Sequence, residues 1–488
     1  MNYRLLCKVL GLLVLLMAGS LVLCEIYGHF LDQTGNRIND FALLKTIVIA
    51  IAVGGVLTLA GRNAGKEILR KEAIAIVGLG WLLCTAVGAV PYVLCEPGLS
   101  PAAAFFESAS GFTTTGSTAI ADLTLYAPSI LLWRATTQWL GGMGILVLFV
   151  ALLSSLGVGS KALFRHESSA QIGYGFHSHI RQTALGLWSL YTALTALCIV
   201  VLTLCGMSFY DALLHSFAAI STGGFSPRNE SLMFYNSAAM DFWLCVFMFL
   251  GGANFLLLVR ALRRDIAGIR REEEFRMYSG IILVATAVVA LDLMIRQGVP
   301  LGKSLQWSSF QVISIMTTTG FVSADFDLWP TLSQAILVLL MFIGGCSGST
   351  AGGIKVGRVL AFLKTAGQQV RNSFRPSQVV PVRLNGIILE ESQKTAALFF
   401  IALTGMTVAT ATLVITILEP QLSLLSSFTS VTATLFNIGP GLEAVGATKN
   451  FAFFTPASHL VLAFLMLLGR LEFFALLVLF LPSLWRRY

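Results

Sequence analysis

The sequence predicts an all-α integral membrane fold. Two leading transmembrane helices precede four copies of a unit that reads helix, short re-entrant helix, helix. Three observations predict it. The chain is 56% hydrophobic and only 11% charged, where soluble domains carry about 25% charged residues. Apolar segments close to the ~20 residues that cross a bilayer recur along its whole length. Four similar glycine-bearing stretches return at intervals of roughly 100 residues, so the repeat is the architecture. They are Thr113-Thr114-Thr115-Gly116, Ile220-Ser221-Thr222-Gly223-Gly224-Phe225, Thr317-Thr318-Thr319-Gly320-Phe321 and Phe436-Asn437-Ile438-Gly439-Pro440.

The elements follow in chain order. Arg4 and Lys8 followed by an apolar run to Cys24 resemble a signal peptide, but no small-residue cleavage site follows. Segment 5–27 is expected to stay as the first transmembrane helix, with 41–60 as the second. The other eight long segments pair around the glycine stretches: 73–95 with 131–156, 183–206 with 237–260, 277–296 with 332–362, and 394–418 with 456–482. Within each pair lies a segment too short to span, at 101–112, 209–221, 303–317 and 421–436. Such a segment reads as a re-entrant pore helix. The expected units are 1–65 for the leading pair, then repeats over 66–160, 161–265, 266–380 and 381–488.

The net charge of +8 does not mark a nucleic-acid partner, because the basic residues sit in loops between apolar segments. The sets are Arg4 and Lys8; Arg62, Lys66, Arg70 and Lys71; Lys161, Arg165 and Arg181; Arg260, Arg263, Arg264, Arg270, Arg271 and Arg276; Lys355, Arg358, Lys364, Arg371, Arg375, Arg383 and Lys394; and Arg486 and Arg487. With each long segment spanning once, all fall on one side, which is then the cytoplasm. Both termini are expected there, with the glycine stretches opening outward and lipid as the surrounding partner. Asp122, Asp325, Asp327 and Glu443 lie on the outward side, where carboxylates would concentrate cations. The eight cysteines show no CxxC spacing and are read as packing residues. His166, His177 and His179 share a loop without a metal-site pattern. No catalytic constellation is present, so an enzyme is not expected.

The glycine stretches suit a pore. A monovalent cation in a narrow passage loses its water, and oxygens must replace it. Consecutive backbone carbonyls do this, given the backbone angles that glycine permits. Threonine and serine can brace such a loop, and each short helix would aim its negative C-terminal end at the cation path. Below the third stretch, Gly344-Gly345-Cys346-Ser347-Gly348-Ser349-Thr350-Ala351-Gly352-Gly353-Ile354-Lys355 interrupts an apolar segment. Glycine costs up to ~1 kcal/mol in a helix relative to alanine, so this stretch is expected to break the second helix of repeat three. It is not a phosphate-binding loop, since Ile354 separates glycine from lysine and no Ser or Thr follows. Arg470, in Gly469-Arg470-Leu471-Glu472, lies inside an apolar segment and is a functional candidate on that ground. It could pair with Glu472 or with carbonyls of 344–355. Glu107, Asp211 and His215 are expected to be structural hydrogen-bond partners, and Arg134 and Gln138 to face the membrane interface.

On these residues the chain resembles the Trk/Ktr/HKT superfamily of potassium transporters, and within it the TrkH-type membrane subunit. The two leading helices separate that type from the shorter Ktr-type subunit. The resemblance implies four M1–P–M2 units around one pore with pseudo-fourfold symmetry. It implies a potassium filter at Thr114, Thr115, Gly116, Ser221, Thr222, Gly223, Thr318, Thr319, Gly320, Asn437, Ile438 and Gly439, with Gly116, Gly223, Gly320 and Gly439 as its four glycines. It links glycine at all four positions with potassium, and serine at the first with sodium. It implies an intramembrane gate at Gly344, Gly345, Ser347, Gly348, Ser349, Thr350, Gly352, Gly353 and Lys355, with Arg470 as a barrier. It further implies a homodimer in the cell inner membrane, regulated by a TrkA-type ring of nucleotide-binding RCK domains. The ion is the only ligand expected, with no bound cofactor. Channel-like uptake is the leading expectation and symport stays open. The alternatives are the potassium-translocating subunit of an ATP-driven pump, or a sodium-permeable member of the same superfamily.

Overall fold

The structure is a computed structural model that describes residues 1–31, 40–65, 69–144, 180–262, 264–375 and 381–485. Lys66, Lys161, Arg165, His166, His177, His179, Arg263, Arg486 and Arg487 lie outside the described residues, as do the end of segment 131–156 and the side chains of Arg70 and Arg181.

Tyr3–Leu31 and Asp40–Ala60 are the leading helices. They pack closely where the sequence has small residues. A Cβ on Gly11 would meet Thr58 and the carbonyl of Gly54, and one on Gly61 would meet the backbone of Arg4. Close approach at small residues drives helix association in lipid, where burial of apolar surface no longer does.

The four repeats follow. Their first helices are Arg70–Leu94, Ile180–Leu204, Glu273–Gln297 and Glu391–Leu418, all long and apolar enough to span. Their short helices are Pro101–Phe112, Phe209–Ile220, Leu301–Met316 and Leu424–Leu435. Ser100, Ser208 and Ser423 cap three of these, each hydroxyl accepting the backbone N–H three residues on. A 12-residue helix is about 18 Å long, which leaves it short of a ~30 Å hydrocarbon layer.

The second helices differ from expectation. They are Pro128–Gly142, Ala238–Gly252, Thr331–Phe342 and Pro456–Arg470, of 15, 15, 12 and 15 residues, and none is a continuous span. In repeat two the chain bends by 107° before Phe255–Leu262, and in repeat four by 116° before Phe474–Phe480. The break expected in repeat three alone is thus shared. Its physical cause is close packing. A Cβ on Gly141 would fall on the Phe112 carbonyl, and one on Gly469 on the Leu435 carbonyl, so the end of a short helix occupies that space. Among the described residues six helices are long and apolar enough to cross, or up to eight if each bent pair is one span.

The polarity is inside out. Leu204, Ile295 and Ile417 are 82%, 80% and 77% exposed on the outer faces, whereas Ser108, Ser216, Ser314 and Thr432 of the short helices are fully buried. That suits a chain solvated by lipid and polar along its axis. One small feature lies outside the all-α expectation. Arg383–Leu384 pairs with Ile387–Ile388 across an Asn385-Gly386 turn with both φ positive, the usual chemistry of a two-residue hairpin. Asn385 ties the hairpin to the start of the repeat-three first helix, accepting from the Glu273 N–H at 2.8 Å.

Candidate functional site

Each short helix ends in the same way. The third residue of the loop that follows donates its N–H back to the helix: Thr115 to Ser110, Gly223 to Ala218, Thr319 to Ser314 and Ile438 to Ala433, at 2.8 to 2.9 Å. The second residue is left-handed in all four, with φ of 54° at Thr114 and Thr222, 55° at Thr318 and 56° at Asn437. This is a Schellman ending, with threonine in three places where glycine is usual. A β-branched residue at positive φ is strained, and here the fold holds it. Thr318 accepts the Gly352 N–H at 2.6 Å. Asn437, better suited to the conformation, donates to Thr115 Oγ1 at 2.9 Å and to the Met466 carbonyl at 3.0 Å.

The fourth residue has positive φ again, at Gly116, Gly224, Gly320 and Gly439. The structure therefore corrects the register of loop two. Gly224 stands at the fourth position and Gly223 at the third, beside Thr115, Thr319 and Ile438. Ser221 is the helix cap, like Thr113, Thr317 and Phe436.

The loops close into a ring. A Cβ on Gly116 would lie against the Gly223 oxygen, on Gly224 against the Thr319 oxygen, on Gly320 against the Ile438 oxygen, and on Gly439 3.0 Å from the Thr115 oxygen. Each glycine thus abuts the third-position carbonyl of the next loop, and the fourth returns to the first. No side chain fits at any of the four.

Buried polar side chains brace the ring. Thr113 and Thr115 hydroxyls bond at 2.7 Å, as do those of Thr317 and Thr319. Arg134 and Gln138 are buried rather than placed at the membrane interface. The Arg134 Nε lies 2.6 Å from Glu107, its NH1 donates to the Ser226 carbonyl at 3.0 Å, and its guanidinium stacks 3.4 Å above the Phe225 ring. Glu107 also accepts the Ala119 N–H at 2.7 Å. His215 bridges the Asp211 carbonyl and the Ser226 hydroxyl, while the Asp211 carboxylate takes Arg228 at 2.8 Å and Tyr235 at 2.7 Å.

A vestibule opens onto the ring, lined by all four positive-φ glycines. Among the described residues its lining includes Arg228 and Lys449 and none of Asp122, Asp325, Asp327 or Glu443. Those acids serve the loops. Hydrogen bonds from Asn229 and Thr124 lower the pKa of Asp122, and bonds from Ser423 and Ser426 lower that of Glu443. Burial raises that of Asp327, which accepts the Glu443 N–H at 3.1 Å.

On the other side of the ring lies the segment 343–355. It leaves helix Thr331–Phe342, pairs with itself between Ile343 and Ile354, and leads into helix Val356–Phe374. It is tied to repeat two and to the first helix of its own repeat. Cys346 donates to the Gly252 carbonyl at 2.8 Å, and Thr350 Oγ1 to the Ile220 and Gly251 carbonyls at 3.0 Å. Glu274 accepts from Ser347 and Gly357 at 2.6 and 2.8 Å, so one carboxylate oxygen holds both ends. The buried Lys355 donates to the Ala351 carbonyl at 2.6 Å. Gly344 and Gly352 pack so closely that a Cβ on Gly344 would meet the Gly352 carbonyl, while Gly345 abuts Gly252. Gly348 and Gly353 take positive φ, and Ser349 donates to the Cys346 carbonyl at 2.6 Å.

Arg470 reaches this segment. It donates to the Thr350 carbonyl at 2.8 Å and to the Gly141 and Gly142 carbonyls at 2.7 and 2.9 Å. The expected pairing with the segment carbonyls is observed, and Glu472 accepts from Arg358. The ends of three repeats meet at this one guanidinium. Glu274 and Gln138 were not legible as site residues. One stands in a Glu272-Glu273-Glu274 run and the other in an ordinary helix.

The family model for TrkH, described as a cation transport protein, matches residues 39–487. The chain is 35% identical to the Trk system potassium uptake protein TrkH of Salmonella typhimurium, over 100% of both. It is 29% identical to the Trk system potassium uptake protein TrkG of Escherichia coli K12, over 91% of this chain and 92% of that one. The crystal structure of the potassium transporter TrkH from Vibrio parahaemolyticus superposes with a TM-score of 0.88 at 31% identity, over 100% of both chains. An all-α membrane fold with four such repeats, matched over its whole length in sequence and in structure, belongs to the TrkH family of cation transport proteins.

Proposed function

We propose that the protein takes up potassium through a selective, gated, channel-like pore in the cell inner membrane. The observation that carries this reading is the closed ring, in which four glycines alternate with four third-position carbonyls. Carbonyl oxygens there would replace the water of a potassium ion, and the short helices would direct their negative ends toward it. In the corrected register the filter is Thr114-Thr115-Gly116, Thr222-Gly223-Gly224, Thr318-Thr319-Gly320 and Asn437-Ile438-Gly439, with Ser221 as a cap. Segment 344–355 is the gate: Gly344, Gly345, Gly348, Gly352 and Gly353 let it fold beneath the filter, and Ser347, Ser349, Thr350 and Lys355 hold its closed form. Arg470 is the barrier that locks it.

The repeats run over 66–160, 161–265, 266–380 and 381–488 after a leading pair at 1–65. The basic loops and both termini face the cytoplasm, as the Lys and Arg distribution supports. The working form is a homodimer under a TrkA-type RCK ring, which docks on the basic stretch 364–393. The test is potassium-limited growth of a strain lacking its own uptake systems. The chain, produced with its cytoplasmic partner, should restore growth at low potassium. Failure to do so with the protein in the membrane would overturn the reading.

A further inference from the structure

We infer that Gln138 is a selectivity-determining residue that acts as the missing side chain of loop two. This rests on the filter reading given above. Loop two differs from the others at its third position, where Gly223 stands in place of Thr115, Thr319 and Ile438. It is also the one loop with two adjacent glycines at the ring, and glycine gives the backbone most freedom. In loops one and three the third-position hydroxyl is tied to the cap hydroxyl at 2.7 Å. Loop two has no such tie.

Gln138 fills the gap from another repeat. A Cβ on Gly223 would lie 2.5 Å from Gln138 Cδ, 2.6 Å from its Oε1 and 2.8 Å from its Nε2. The amide therefore occupies the place of the absent side chain. It donates from Nε2 to the Gly223 carbonyl at 2.5 Å and accepts the Phe225 N–H on Oε1 at 3.1 Å. These two groups belong to the peptides on either side of Gly224. One fully buried side chain thus fixes both peptide planes that flank the ring glycine, and one of them carries the oxygen facing Gly116. A uniform side chain at the third position could not do this, because no threonine reaches across the glycine. Gln138 does not stand in for a cation ligand. It positions one.

The experiment measures potassium-over-sodium permeability from reversal potentials in mixed-ion solutions, using the full chain in liposomes. Gln138→Ala should lower the ratio about fivefold, since, of the two bonds lost, it is the one to the Gly223 carbonyl that holds the ion-facing oxygen. Gln138→Met, which keeps the volume but neither donor nor acceptor, should lower it as much. Gly223→Thr alone should also be impaired, since its Cβ would meet the amide. The double variant Gln138→Ala with Gly223→Thr should select better than either single variant, because the space is free and the new hydroxyl can reach that of Ser221. A wild-type ratio in Gln138→Met, or a double variant no better than the singles, would overturn the inference. The double variant also decides the case where Gln138→Ala does not fold. Gly116→Ser is the control for the filter itself: if it shifts selectivity toward sodium while Gln138→Met does not, the filter reading stands and the role of Gln138 falls.

Discussion

Arg470 sits where two helices end. Gly141 and Gly142 close one of them, and their carbonyls lie at its C-terminal end. A guanidinium placed there meets the negative end of the helix dipole and three oxygens at once, which compensates a charge that is costly inside a membrane. Each charge-assisted bond is worth about 1.5–3 kcal/mol, and the one to Thr350 joins the arginine to segment 344–355. Arg470→Ala should therefore raise open probability or unitary conductance in single-channel recordings, and unchanged values would remove its barrier role. Arg470→Lys should behave like the alanine variant, because an ammonium is a point charge and cannot span three carbonyls as the planar fork does. This residue was legible in the sequence because arginine is rare in an apolar run. Gln138 was not, since its role depends on which loop lies opposite, and a helix does not announce its neighbour. The Gly223-Gly224 pair carried an ambiguity that only backbone angles resolve, because either glycine suits a filter by composition.

The short helices and the helices that follow them are matched at their ends. A Cβ added at Gly141 meets the Phe112 backbone rather than a movable side chain, so the two helices would have to separate. Gly141→Ala should cost about 1–3 kcal/mol through overpacking, read as a lower Tm and less monodisperse protein after extraction. Gly405→Ala is the comparison, since nothing lies within 4 Å of its Cβ. It should be neutral or stabilising by up to about 1 kcal/mol. An equal loss in both would show that the close packing at Gly141 is unimportant. At this scale the first helices and the short helices were readable from apolar length. The second helices were not, because hydropathy counts residues and does not see a bend. Gly141-Gly142, Gly251-Gly252 and Gly344-Gly345 are the sequence signal of the bends, and only the last is reinforced by further glycines. The hairpin at 383–388 has only its Asn-Gly turn as a sequence signal, and that turn stands in a basic loop.

At the scale of the molecule the repeats do not work singly. Every ring contact joins two different repeats, Arg470 joins repeats one, three and four, and Gln138 joins repeats one and two. Such a unit should conduct without a separate energy source. In liposomes carrying the purified protein, an outward potassium gradient should drive rubidium uptake in the absence of ATP, and Gly116→Ser should reduce it relative to sodium. A strict requirement for ATP hydrolysis would favour the pump-subunit alternative.

The ring has one more consequence, for how such a chain can change over generations. Where four identical subunits surround a pore, one codon alters every quarter together. Here the four quarters are written separately. Threonine, glycine, threonine and isoleucine already stand at its third positions, and each can be substituted without altering the codons of the other three. The protein can vary selectivity in single steps, and in loop two the space of an absent side chain is taken by Gln138 of another repeat.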